Sequence, residues 1–152
     1  MKQIKNNFGR SFKEFKIDEK ISHWPRKTIT ESDHNLFCLI TMNHHPIHID
    51  KIFANKSKFK KRLVVGTYVF SLVVGMTVRD ISGKAIANLN YEKINHLAPV
   101  FNGDTISAYS KIISKETSAS NKRNAKIKIM TVAQNQKKEK VLNFYSTILI
   151  KK

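Results

Sequence analysis

An α+β domain, in which an antiparallel sheet wraps around one long buried helix, is what the order of apolar patterns in this chain predicts. Three observations carry it. Residues 66–79 form the longest apolar run, with Tyr68, Val69, Phe70, Leu72, Val73, Val74, Met76 and Val78 spread nearly all round a helix, which such a helix tolerates only when buried on most sides. About 14 residues is also long for a strand and ordinary for a helix. From residue 85 the pattern becomes strand-like, as in Ala125-Lys126-Ile127-Lys128-Ile129-Met130, over four segments at 85–95, 105–115, 125–134 and 141–150. Turn sequences then separate the elements: Asp80-Ile81-Ser82-Gly83-Lys84 after the helix, with Asn102-Gly103-Asp104 and Asn135-Gln136-Lys137-Lys138 standing where hairpin turns are needed.

The first half is read in order. Residues 1–7 form a flexible lead without the apolar stretch of a signal peptide. Residues 8–15 alternate aromatic and polar side chains after Gly9, which predicts a short strand or an extended arm. Residues 21–29 predict another extended piece, broken at Pro25. Thr30-Glu31-Ser32-Asp33 is a helix start, a threonine cap followed by acids that meet the positive end of the helix dipole. Leu36, Phe37, Leu39 and Ile40 supply that helix's apolar face, and it ends near Thr41. A short helix is expected over 50–55 with Ile52, Phe53 and Ala54 turned inward, followed by a basic loop from Lys56 to Arg62.

Length and composition narrow the function classes. A chain of 152 residues suits a single domain over 1–152, able to bury a core without metals or disulfides. The single Cys38 excludes an internal disulfide and falls in an apolar helical pattern, where a buried, inert thiol is expected. No 18-residue uncharged stretch occurs, so a cytoplasmic protein that does not span a membrane is expected. The net charge of +17 invites a nucleic-acid reading, but the basic residues are spread along the chain, lysine dominates arginine, and few aromatics are interleaved. A solvated basic surface, or one that steers an anionic small ligand such as a phosphate-bearing coenzyme, accounts for it better than nucleic acid.

The densest chemistry lies in Thr41-Met42-Asn43-His44-His45-Pro46-Ile47-His48-Ile49-Asp50, which holds three of the six histidines. Asn43-x-x-Pro46-Ile47-His48-x-Asp50, with Ala54 six positions after His48 and Val65-Gly66 opening the long helix, resembles the MaoC-like dehydratase family. So does Ala98-Pro99-Val100-Phe101-Asn102-Gly103-Asp104-Thr105. The resemblance runs from about Phe8 to Ile150 and implies the hotdog fold, homodimers, and hydration or dehydration of CoA thioesters without a further cofactor. The pattern is most similar to members acting on CoA esters of short branched dicarboxylic acids. One departure stands out: the family commonly has Gly-Asp-x-Asn-Pro-x-His, whereas Met42, Asn43 and His45 replace Gly, Asp and Asn here.

The chemistry implied needs a polarised thioester carbonyl, a positioned water and a group that exchanges a proton with the α-carbon. Backbone N–H groups of Gly66 and Thr67 at the start of the long helix suit the first. His48 is expected to handle the proton, since imidazole titrates near neutrality, and Asn43, which cannot take a proton, to orient water or the imidazole. His44, His45 and Asp50 are expected to support them, with His44 or His45 standing in for the missing carboxylate. Arg62 and Arg79 are candidates for clamping a carboxylate or phosphate. Each has a plainer alternative: a loop histidine that only hydrogen-bonds, a glycine needed for packing, solvent-facing imidazoles, surface arginines. Near-consecutive histidines rarely converge on a metal, so no metal is expected. A thioesterase using Asp33 or Asp50, or a non-catalytic acyl-CoA or nucleic-acid binding module, are the competing functions.

Overall fold

The computed structural model describes residues 8–152, so the flexible lead expected at 1–7 lies outside the described residues. Its helices are α1 (Glu31–Ile40), α2 (Pro46–Ile49), α3 (Lys51–Lys56) and α4 (Gly66–Val78). Its strands are β1 (Lys20–Ser22), β2 (Lys27–Thr28), β3 (Ala85–His96), β4 (Thr105–Thr117), β5 (Asn124–Gln134) and β6 (Lys140–Lys151). The sheet runs in the order β1-β4-β5-β6-β3, with β2 pairing β4, and every pairing is antiparallel.

Local chemistry accounts for most of these boundaries. Thr30 caps α1 by accepting the Asp33 N–H at 3.1 Å, while the Asp33 carboxylate accepts the Thr30 N–H at 3.3 Å. The turn at 135–138 joins β5 to β6 as expected, with Lys138 in the left-handed region at φ 64°. The other expected hairpin is not one. β3 pairs with β6 rather than with β4, so Asn102-Gly103-Asp104 is a bend that starts β4, with Gly103 at φ 94° and Asp104 accepting the Phe101 N–H at 2.8 Å. Of the two expectations for residues 8–15, a short strand or an extended arm, the strand does not form. Residues 12–14 form a 3-10 turn that leads into Phe15, which is buried in the core with Ile21 and Ile112.

The apolar residues divide differently from the periodic expectation. Val69 and Val73 of α4 pack into one core with Ile106, Ala108, Leu142 and Phe144, and Ile21, Ile81, Ile112, Ile127 and Ile148 form a second with Phe15. Thr77 completes the buried face of α4, Tyr68, Phe70, Leu72, Val74, Met76 and Val78 are only half-buried, and Thr67, Ser71 and Gly75 are exposed. The face that α1 buries is His34 and Cys38, whereas Leu36, Leu39 and Ile40 are exposed. In α3 only Ala54 is buried, with Ile52 and Phe53 outside. The edge strand β3 likewise presents Ile86, Leu89 and Ile94 to solvent.

Candidate active site

His48 is positioned by three local devices. The His45 ring caps α2, its Nδ1 accepting the Ile47 N–H at 3.2 Å, and Pro46 takes the first helical position, where the missing N–H costs nothing. Asp50 then ends α2 and starts α3, accepting the N–H groups of Ile52 at 2.8 Å and Phe53 at 3.0 Å. The short helix expected over 50–55 is α3, and α2 is a further turn before it, with Asp50 between them. On this frame His48 places Nδ1 2.7 Å from the Leu63 carbonyl oxygen. A carbonyl only accepts, so Nδ1 carries the hydrogen and the neutral ring keeps its lone pair on Nε2.

Leu63 leads directly to α4. The Val65 N–H, at the cap of that helix, donates to Nε2 of His34 at 3.1 Å. His34 is fully buried, its pKa is pushed down from 6.5 to about 4 by burial and then by the neighbouring His48 and Arg62, and only Asn102 pulls the other way. A neutral His34 is thus a fixed acceptor behind the helix start. The next two N–H groups, those of Gly66 and Thr67, have no acceptor within the helix. Gly66 and His48 line one cleft of about 250 Å³ together with Leu63, Val100, Val141 and His96. A Cβ at Gly66 would stand 2.9 Å from Cε1 and Nε2 of His96, so only glycine lets that imidazole lie over the start of α4.

The other expected residues separate. Asn43 is half-buried on the turn after α1, its N–H bonded to the Cys38 carbonyl at 3.0 Å, and it does not line the cleft of His48. His44 lines a different hollow, with Asn35, Cys38 and Leu39. Arg62 is mostly buried against Glu31, beside a smaller hollow that it shares with Lys51, Lys61 and Asn102. Arg79 caps the opposite end of α4, roughly 20 Å of helix from Gly66, with its guanidinium over the Trp24 ring. It cannot serve the same cleft within one chain. Burial raises the Cys38 thiol pKa, in keeping with an inert thiol.

Two arrangements escaped the sequence. His34 and His96 lie far from the histidine cluster in the chain, and only the spacing of His34 to the buried Cys38 on one helix face signals the former. A second buried chain links Asp80 Oδ2 to His23 Nδ1 at 3.0 Å, His23 Nε2 to Ser110 Oγ at 2.8 Å, and Ser110 to Thr131 Oγ1 at 2.7 Å. Its order matches a hydrolytic triad, but Ser110 is fully buried, so the hydroxyl meets no substrate and the chain satisfies polar groups inside the sheet. Among the described residues no three His, Cys, Asp or Glu side chains converge as metal ligands.

An antiparallel sheet wrapped on a helix whose first turn closes a histidine-lined cleft defines a hotdog-fold domain. A double-hotdog protein of Mycobacterium tuberculosis shares the fold at a TM-score of 0.85 and 16% identity, over 97% of this chain and 46% of that one. The chain belongs to the MaoC-like domain family, whose profile matches residues 12–135. It is 32% identical over 149 residues to a mesaconyl-CoA hydratase of Cereibacter sphaeroides, covering 98% of this chain and 43% of that protein. To a beta-methylmalyl-CoA dehydratase of Chloroflexus aurantiacus it is 32% identical over 148 residues, 97% of this chain and 42% of that one. A MaoC domain protein dehydratase structure from Chloroflexus aurantiacus superposes with a TM-score of 0.92 at 31% identity, over 99% of this chain and 42% of that one. The chain thus spans about two-fifths of the length of the curated relatives it matches.

Proposed function

We propose that this chain is a hydro-lyase domain that adds water reversibly to the double bond of a short-chain enoyl-CoA thioester, including esters of branched dicarboxylic acids. The observation that carries the reading is the His48 ring, fixed through Nδ1 on the Leu63 carbonyl at 2.7 Å in a cleft that Gly66 closes. The thioester carbonyl binds at the Gly66 and Thr67 amides, whose dipoles meet the negative charge that develops on its oxygen. His48 Nε2 takes a proton from the attacking water and returns it in the reverse direction. Asn43, outside that cleft, transfers no proton. No cofactor is required beyond the CoA moiety of the substrate, and the basic loop 56–62 carries the charge that draws its phosphates. The relatives named for hydration and dehydration of CoA esters support the same class.

A homodimer in the cytoplasm is part of this proposal. The long edge strand β3, with Ile86, Leu89 and Ile94 exposed, is the unpaired sheet edge that a second copy would cover. Thioester hydrolysis is the weaker reading, because the carboxylates it needs are occupied: Asp33 pairs with Lys27 at 2.8 Å and Asp50 caps α3. Loss of conjugated-thioester absorbance from crotonyl- and mesaconyl-CoA, with free thiol measured in parallel, tests the proposal. Hydration without thiol release is expected, and His48→Ala is expected to lower kcat about 100-fold or more. Unchanged turnover in that variant would refute the role of His48. Release of CoA would favour hydrolysis, and inert esters with salt-sensitive DNA retardation would favour a binding module.

A further inference from the structure

Elimination among the six histidines leaves two in the cleft. His23 is held on both ring nitrogens by Asp80 and Ser110, His34 accepts the Val65 N–H, and His45 caps α2. His44 belongs to another hollow. His48 and His96 share the cleft, and the ring of His96, at the end of β3, makes no hydrogen bond among the described residues. Its ring lies against Gly66, where a Cβ would come within 2.9 Å of Nε2. A thioester held by the Gly66 amide would therefore bring its carbonyl, and the α-carbon bonded to it, beside His96.

We infer that His96 is the second proton-transfer group of the cleft, serving the α-carbon while His48 serves the water. The inference rests on the hydratase reading above. In hydration His48 takes a proton from water as the oxygen bonds to the β-carbon, and the π electrons move to leave an enolate whose oxygen lies on the Gly66 and Thr67 amides. The enolate then takes a proton from the His96 imidazolium, forming the α-carbon–hydrogen bond. His48 gives its proton to solvent and His96 regains one from solvent, so one water is consumed and nothing is oxidised or reduced. This division places no carboxylate in the cleft and accounts for Asn43 without asking an amide to carry a proton.

The test uses the whole chain, with crotonyl-CoA and mesaconyl-CoA as probes and 3-hydroxybutyryl-CoA in deuterated water. His96→Asn and His96→Phe are expected to keep the fold, to lower kcat about 100-fold or more, and to lose deuterium exchange at the α-carbon. His48→Asn is expected to lose hydration while keeping part of that exchange. The pH profile of kcat should lose one limb in His96→Asn, which a merely space-filling imidazole would not cause. Hydration and α-exchange in His96→Asn within threefold of the native chain would overturn the role of His96 and leave the hydratase reading standing. Failure of the native chain to hydrate either ester would overturn both.

Discussion

Acidification should weaken this fold through His34 before its carboxylates titrate. In the folded chain Nε2 accepts the Val65 N–H at 3.1 Å, and protonation would turn that acceptor into a donor facing a donor. Burial pushes the folded pKa from 6.5 down to about 4, so between those values the unfolded chain binds a proton that the folded chain refuses. Stability contributed by His34 is therefore complete above pH 6.5 and is lost as the pH falls toward 4. The full difference is worth about 3 kcal/mol, of which about 2 kcal/mol is gone by pH 5. For a domain of this size that shifts a urea midpoint by about 1 M. His34→Gln keeps an acceptor for the Val65 N–H and removes the titration, so urea unfolding of both proteins at pH 7 and pH 5 isolates the effect from every other group. The native chain should lose about 2 kcal/mol more than the variant over that interval. Equal losses would refute the claim that His34 is a neutral cap.

Three further outcomes follow from the same geometry. Asp50→Ala removes the acceptor for two N–H groups of α3 and should cost about 1 kcal/mol in denaturant unfolding. Gly9→Ala meets two obstacles at once, because Gly9 is buried at φ 79° and a Cβ there would sit 2.4 Å from the Lys84 backbone nitrogen; a loss of more than about 1 kcal/mol is expected in the same assay. Gly66→Ala should leave thermal stability near native, since its added methyl meets only the movable His96 ring, while hydration falls at least about tenfold as that ring is displaced.

Much of the fold was legible because its signals are local. The Thr30 cap, the apolar run of α4, the alternating β5 and the turn at 135–138 each depend on a few neighbouring residues, and each lies where the pattern places it. The apolar faces of α1 and α3 misled for the same reason: periodicity marks a stripe of Leu36, Leu39 and Ile40 without saying what covers it, and α1 instead buries His34 and Cys38, with His34 on the Val65 N–H. Strand order was illegible too. Neighbours in sequence favour a β3–β4 hairpin, yet β3 closes on β6, since only that pairing leaves β4 free for β1 and β2.

The sequence by itself determined the family, the helix that the sheet wraps and the short helix that starts at Asp50. Tertiary structure alone decided which groups meet there. It set Asn43 and His44 apart from the cleft of His48 and brought in His34 and His96 from α1 and β3. Helix capping is settled within one turn of chain, where spacing is enough to identify partners. The meeting of His48, Gly66 and His96 depends on a sheet register set by the burial of side chains from four strands, which local spacing does not encode.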